Sequence, residues 1–333
     1  MAERVYQAAR TSTLPEVQRS ALLPPTVVIA GPTGIGKTAL SLQLAHQFPV
    51  EIISADSRQV YREFDIGTAK VSKAERTLAT HHLIDIVEPT DIFTVANFQA
   101  LGRVALDEIG ARQRIALIVG GTAHYVRALG EQFSVPAVAP DWEFRAGLEA
   151  VAQAAGPEVL HSRLAALDAL AAERIPFANV RRVIRALEVI AHTGRPFSEQ
   201  SRDRLNPSPA LRLALTMNRE QLYEIVDRRV DTMMDDGWLQ EVQRLLAAGV
   251  SLTSPPMSSS GYRELAAALR GELTIDEAVQ RAKFSVHAYI RRQYIWLRRM
   301  PEYEWVQVEP GYETIVAERL EGYLDSLVTE LTR

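Results

Sequence analysis

The eight residues Gly31-Pro-Thr-Gly-Ile-Gly-Lys37-Thr38 follow a short apolar run, Thr26-Val-Val-Ile-Ala30, and match G-x-x-x-x-G-K-[ST]. Glycines at that spacing let a loop turn tightly, so that its backbone N–H groups converge on phosphate oxygens where a helix begins. The feature constrains the fold because the apolar run must then be a buried strand and the residues beyond Lys37 a crossover helix. Gly31, Thr33, Gly34, Ile35, Gly36, Lys37 and Thr38 are therefore expected to bind a diphosphate, with Lys37 as a point charge and the Thr38 hydroxyl on a Mg²⁺ ion. The next strand-like run, Arg114-Ile-Ala-Leu-Ile-Val119, ends in Gly120-Gly121-Thr122, where a nucleotide hydrolase normally places a metal-binding acid. That substitution argues against ordinary triphosphate hydrolysis.

The stretch from Thr38 to Gln47 carries Leu40, Leu42 and Leu44 and is expected to be the crossover helix, ended by Phe48-Pro49. Val50-Glu-Ile-Ile-Ser54 reads as a second strand that delivers Ala55-Asp56-Ser57-Arg58-Gln59 to the edge where open parallel sheets bind ligands. His82 to Val87 reads as a further short strand and Thr94 to about Gly110 as an amphipathic helix. The alternation predicts an α/β fold, a P-loop doubly wound parallel sheet. From 131 to 205 alanine and leucine dominate, and Pro136, Pro140, Pro157, Pro176 and Pro196 cut the segment into short helices, which predicts a helical insertion domain. The expected division is an N-terminal extension (1–24), a core (25–130 and 206–310), the insertion (131–205) and a C-terminal tail (311–333). Leu222, Ile225, Val226, Val230, Met233 and Met234 recur at helical spacing as core residues, Gly249 fits a helix C-cap, and 261–299 is rich in helix signals.

Composition excludes whole classes of chemistry. With no cysteine there is no disulfide, thiolate catalysis or iron–sulfur ligation, and any metal is expected to be oxygen-bound. The seven histidines are scattered apart from the adjacent His81 and His82. No run approaches a membrane span, and residues 1–24 lack an apolar signal core, so a cytoplasmic protein without a membrane partner is expected. A net charge of −4 does not advertise a nucleic-acid binder, yet the charge is unevenly placed. Arg181, Arg182 and Arg185 cluster in the insertion, and 281–299 holds Arg281, Lys283, Arg291, Arg292, Arg298 and Arg299 with no acid, interleaved with Phe284, Tyr289, Tyr294 and Trp296. Such a pattern suits a groove that follows phosphates and stacks bases, although solvated helix faces and core aromatics give similar patterns.

Around the phosphate grip, Asp56 is open to three roles: general base, Mg²⁺ ligand or helix N-cap. Arg127 is placed to neutralise a leaving group or to be a solvated helix arginine, and Thr122 to touch substrate or to cap the helix that follows. A transferase, a small-molecule or nucleoside kinase and a nucleotide-dependent RNA-binding switch all fit this set.

At Ile53-Ser-Ala-Asp-Ser-Arg-Gln-Val-Tyr61 and Phe64-Asp-Ile-Gly-Thr-Ala-Lys70 the chain resembles the tRNA dimethylallyltransferase family, and the match continues through Val119-Gly-Gly-Thr-Ala-His-Tyr125, Arg185-Ala-Leu-Glu-Val189, Gly261-Tyr-Arg-Glu264 and Arg292-Gln-Tyr-Ile-Trp-Leu-Arg298. The resemblance implies transfer of a dimethylallyl group from dimethylallyl diphosphate to the exocyclic amine of the adenosine 3′-adjacent to the tRNA anticodon. It implies that Asp56 accepts the amine proton, that Lys37, Thr38 and Arg127 stabilise diphosphate, and that Mg²⁺ assists. It assigns contacts with the anticodon stem-loop to Asp56, Ser57, Arg58, Gln59, Thr122, Arg145, Arg181, Arg182, Arg185, Gly261, Tyr262 and Arg263, with Arg291 and Arg292 added from the basic stretch. The enzyme is expected to be a monomer whose insertion clamps the stem-loop. The chain departs from the family pattern at Ser258-Ser259-Ser260 and Val180-Arg181, and the zinc-finger tail of some eukaryotic relatives is not expected.

Overall fold

The computed structural model describes residues 23–130, 138–200 and 210–331. The expected N-terminal extension up to residue 22, Pro136 and the end of the insertion beyond 200 lie outside the described residues. The chain divides into two compact units, Met1–Gly130 with Ser208–Arg333, and Glu131–Pro207.

In the larger unit, β1 (Thr26–Ala30), α1 (Lys37–Gln47), β2 (Val50–Ala55), α2 (Lys73–Leu78), β3 (His81–His82), α3 (Val95–Ala111), β4 (Ile115–Gly120) and α4 (Ala123–Gly130) precede the insertion. In the insertion come α5 (Trp142–Ala155), α6 (Pro157–Leu167), α7 (Ala169–Arg174), α8 (Val180–Thr193) and α9 (Phe197–Gln200). The chain then returns with β5 (Ala210–Thr216), α10 (Arg219–Asp235), α11 (Trp238–Ala247), α12 (Tyr262–Leu269), α13 (Ile275–Leu297), β6 (Glu304–Gln307) and α14 (Tyr312–Leu331).

All strand pairings are parallel, in the order β3-β2-β4-β1-β5-β6. Strands β1, β2 and β4 are buried on both faces, as parallel strands covered by helices must be, which explains their unbroken apolar runs. Alternate residues feed opposite cores: Val28, Ala30, Ile53 and Ile118 one face, Val27, Ile29, Ile52 and Leu117 the other. Glu51 is the exception, a buried acid held by the Arg112 guanidinium at 2.8 Å from each oxygen and by His82 Nε2 at 2.8 Å. After β1 the chain moves outward to β2 and β3, returns to insert β4, and then crosses to β5, so the order reverses between β4 and β1. Ligand crevices of open sheets lie outside the strand ends at such a reversal.

Two expectations need correction. The strand foreseen over 82–87 is only the pair His81–His82, because Leu83 (φ 63°) and Asp85 (φ 56°) take left-handed backbone that no extended strand accommodates. The foreseen tail at 311–333 contains the helix α14, which sinks Val316 and Leu320 into the sheet's second core. Strands β5 and β6 escape a pattern reading because neither carries a clean apolar run: β5 is interrupted by Arg212, whose guanidinium bonds the Ala210 and Gly130 carbonyls.

The insertion is helical in every described element, with a core of Leu160, Leu164, Ile175, Val183, Ile184 and Leu187. Helix α8 stops at Gly194, whose φ of 66° suits glycine, and Asp168 ties α7 to α9 by accepting from Ala171 N and Ser198 N.

Candidate active site

Three segments leave the same edge of the sheet: the phosphate loop from β1, Asp56 from β2 and Gly121 from β4, aligned by the register Ala30↔Gly120 and Ala55↔Gly120. The register is close enough that a Cβ on Gly120 would stand 2.2 Å from the Ala55 carbonyl oxygen, so no acidic side chain fits at that position. This explains in steric terms why the expected hydrolase acid is missing there.

Helix α1 starts directly from the loop, with Gly34 (φ 82°) and Gly36 (φ 96°) in backbone that a side chain would strain. No side chain caps its first turn, which leaves those N–H groups for a ligand. Lys37 Nζ donates to the loop's own Gly31 and Pro32 carbonyls at 3.0 and 2.7 Å. Burial lowers its pKa to about 8; the Asp56 carboxylate opposes that shift and Arg229 adds to it. Lys37, Thr38, Asp56, Gln59, Lys70 and Arg229 line one cavity of about 450 Å³ that also includes Gly34, Gly36 and Gly120.

Arg229 is the residue that sequence reasoning missed. It projects from α10 into the cavity, and burial lowers its pKa while Asp56 raises it. The signal was present, since Arg229 falls on the stripe of Leu222, Ile225, Val226 and Met233, where a charge on an otherwise apolar helix face needs a reason. Arg127 is exposed on α4 and is not among the residues lining the cavity.

Asp56 Oδ1 accepts from Arg58 N at 2.8 Å, a local turn that does not cap a helix, so the N-cap role falls away. Ser57 N donates to Thr122 Oγ1 at 3.0 Å, tying the acid turn to the end of β4. Tyr289 of α13, also unforeseen as a site residue, hydrogen-bonds Thr122, and burial followed by the Asp56 charge pushes its phenol up to about 12. Arg58 is held by the Pro255 carbonyl and by Ser258 Oγ at 3.0 Å, so the first serine of the atypical triplet positions a site residue. Gln59 donates to the Thr68 and Ala69 carbonyls at 3.3 and 3.2 Å and accepts from Ser54 Oγ. Lys70 joins Tyr61 O, Asp65 and Asp85, which accounts for the Gly-Thr-Ala-Lys segment as a folded strap beside the cavity.

The Gly261-Tyr262-Arg263 turn is corrected in part. Tyr262 is 0% exposed and donates to buried Glu241, whose carboxylate also accepts from Asp65, Ile66 and Gly67 N. Gly261 (φ 91°) lies against Trp238, where a Cβ would come within 2.0 Å of the ring. These two hold the strap; only the Arg263 side chain is exposed to a partner. On α13 and just past its end, Arg291, Arg292, Arg298 and Arg299 are exposed, Arg292 lies 5.7 Å over Tyr289, and Lys283 pairs with Asp231 of α10.

Within the insertion, Arg181 and Arg182 are exposed at the start of α8. Arg145 and Arg185 grip Glu188, which is 0% exposed: Arg145 bonds both its oxygens at 2.8 and 2.7 Å, and Arg185 bonds one at 2.6 Å. Burial alone pushes the Glu188 carboxyl up, but the two guanidiniums and Asp141 N outweigh it and bring the pKa down to about 2. Arg145 also stacks 5.2 Å over the exposed Trp142 ring.

Among the described residues, no cluster of three or more His, Asp or Glu side chains is placed to hold a metal ion, and no helix is long and apolar enough to cross a membrane.

A parallel sheet with a phosphate loop at its switch point, and Lys37, Arg229 and Asp56 lining the same cavity, defines a P-loop enzyme. The family model described as IPP transferase matches residues 59–300, and that described as isopentenyl transferase matches 25–86. A tRNA dimethylallyltransferase of Thermomicrobium roseum is 47% identical over 90% of this chain and 92% of its own. One from Chloroflexus aggregans is 44% identical over 87% and 99%. The solved tRNA isopentenylpyrophosphate transferase of Bacillus halodurans has 36% identity and a TM-score of 0.65 over 90% of this chain and 98% of that one. A eukaryotic dimethylallyltransferase described as acting on tRNA has 26% identity and a TM-score of 0.75 over 92% and 80%. The chain belongs to the IPP transferase family.

Proposed function

We propose that this chain transfers a dimethylallyl group from dimethylallyl diphosphate to the exocyclic amine of the adenosine 3′-adjacent to the anticodon in tRNA, releasing diphosphate. One observation carries the reading: a single cavity joins the phosphate loop, Lys37, Arg229 and Asp56, with glycine where a hydrolase acid would stand. In the reaction the prenyl carbon–oxygen bond breaks, a carbon–nitrogen bond forms, and the amine proton passes to the Asp56 carboxylate. The adenine amine is a weak nucleophile because its lone pair is delocalised into the ring, so stabilising the departing diphosphate carries most of the acceleration. Lys37, Arg229 and the N–H groups at the start of α1 supply that stabilisation.

The donor set also suits Mg²⁺. The Thr38 hydroxyl is a hard oxygen donor that would hold such an ion at the loop, while Asp56 keeps the role of base. When bound it screens charge on the diphosphate. A flipped adenosine would reach Asp56 past Arg58, Gln59 and Thr122, while the exposed arginines of α13 and α8 and Arg263 meet phosphates of the stem-loop. The protein acts in the cytoplasm as a monomer.

Mass spectrometry of nucleosides from unmodified tRNA, incubated with the protein, Mg²⁺ and either dimethylallyl diphosphate or ATP, tests the reading. Prenylated adenosine from the prenyl donor alone is the expected result. ADP formed with a small acceptor, and no modified nucleoside, would instead assign the loop to a kinase.

A further inference from the structure

The strap that follows the Asp56 turn walls the same cavity as the phosphate loop, through Thr68, Ala69, Lys70 and Val71. Ala69 takes left-handed backbone (φ 47°), a conformation that persists at an ordinary residue only when its surroundings hold it. Two side chains do so. Gln59 donates to the Thr68 and Ala69 carbonyls, and Glu241 of α11 takes the N–H groups of the three residues before them. Glu241 is buried. Its Oε2 accepts from Asp65 N at 2.9 Å and Ile66 N at 2.7 Å, and its Oε1 from Gly67 N at 3.2 Å and the Tyr262 hydroxyl at 2.6 Å. Three successive backbone N–H groups turned to one point form the kind of nest that elsewhere holds a free anion. One helical turn before Glu241, Trp238 closes the same contact, since a Cβ on Gly67 would stand 2.0 Å from its Nε1.

We propose that Glu241 is a positioning residue for prenyl transfer: by holding the strap it sets one wall of the cavity, and with it the affinity for dimethylallyl diphosphate. The inference rests on the reading that this cavity takes the prenyl donor. Glu241 does not line the cavity, so its effect passes through the backbone of 65–71. The far end of the strap has its own anchor, Lys70 on Tyr61 O, Asp65 and Asp85, so releasing Glu241 frees the start of the strap while its end stays tied. Among the described residues, no hydrogen bond joins the strap to Lys37 or Asp56, whose partners are the Gly31 and Pro32 carbonyls and Arg58 N. A displaced wall therefore weakens donor binding and keeps the chemistry at the bound donor. A misplacement of about 1 Å costs up to about 10²-fold, and about tenfold is expected for a wall anchored at its other end.

The test is steady-state kinetics of the full chain with tRNA and dimethylallyl diphosphate, together with hydrogen exchange over 65–71. Each Glu241 oxygen serves at least one strap N–H, so the amide of Glu241→Gln must set its NH2 against one of them whichever way it turns. The expected result is a KM for dimethylallyl diphosphate raised about tenfold, kcat within about threefold, and faster exchange over 65–71. Val242→Ala hollows the core on the same helix without removing a strap hydrogen bond, and should keep the wild-type KM. An unchanged KM in Glu241→Gln, including one where kcat falls with the folded fraction, would overturn the proposal, as would an equal rise in Val242→Ala. If Glu241→Gln does not fold, the wild type still decides: dimethylallyl diphosphate should slow exchange over 65–71, and no protection there would overturn the role of the strap. A wild type that neither binds nor turns over dimethylallyl diphosphate would remove the reading of the cavity itself, a result distinct from normal donor kinetics that Glu241→Gln leaves unchanged.

Discussion

Taking the Lys37 ammonium out of water costs stability, so replacing it with an uncharged side chain should stabilise the fold while destroying the diphosphate site. Its pKa of about 8, against the ordinary 10.5, corresponds to a penalty of about 3 kcal/mol on the charged form, at about 1.4 kcal/mol per pKa unit. Lys37→Met keeps the aliphatic stem and removes the charge, but it also leaves the Gly31 and Pro32 carbonyls without their donor, at about 1 kcal/mol each. The variant should therefore be more stable than the wild type by about 1 kcal/mol at pH 7. The sign changes with pH. Between about 8 and 10.5 the folded wild type has released the Lys37 proton that the unfolded chain still holds, so wild-type stability rises relative to the variant. By pH 10.5 the penalty is gone and the variant should be the weaker protein by about 2 kcal/mol. Urea unfolding of both proteins across about pH 7–10.5 measures the difference, and calorimetry with diphosphate should show binding abolished in the variant. Parallel stability profiles, or a variant weaker than wild type at pH 7, would refute the claim that the desolvated ammonium destabilises the loop.

Other consequences are more direct. Asp56→Ala should abolish prenyl transfer while tRNA affinity stays within several-fold; turnover near the wild-type rate would remove Asp56 as the base. Arg229→Gln should lower kcat/KM for the prenyl donor by about 10²–10³, the scale of losing one charge-stabilising group, and steady-state kinetics with an unchanged value would return that role to another cation. Glu188→Gln should destabilise the insertion by about 3 kcal/mol, read by hydrogen exchange over α5 and α8. Because the Glu188 pKa is depressed to about 2, its stabilisation is present above about 4.5 and lost as pH falls towards 2, so the variant's exchange should lack that acid dependence. Replacing Arg291 and Arg292 together should flatten the salt dependence of tRNA binding by about 0.7 in slope for each phosphate left unneutralised, and an unchanged slope would exclude that face of α13 from the RNA path.

Legibility followed the range of the interactions. The phosphate loop, the Asp56 turn and the sheet's middle strands were readable because each is set by neighbours in sequence: glycine backbone freedom, apolar runs and strand-end polarity. Strands β5 and β6, at one end of the sheet, were not, since they carry mixed sequences that become strands only by pairing with a sheet already present. The same holds for the difference between Tyr262 and Arg263. Adjacent members of one motif, they separate into a buried holder and an exposed side chain according to which side of α12 meets Glu241 and Trp238.

By itself the sequence determined the chemistry available: a diphosphate grip, a nearby carboxylate, no thiol, and glycine in place of a hydrolase acid. Tertiary structure decided which charges share the cavity. It brought Arg229 from 192 positions beyond Lys37 to the loop, left Arg127 outside the cavity lining, paired Arg145 and Arg185 with a buried acid, and set Gln293 between loop and β4. The physical reason is that a side chain's charge and hydrogen-bonding capacity are local properties. Its burial and its partners are set by helices that meet only when the sheet is assembled.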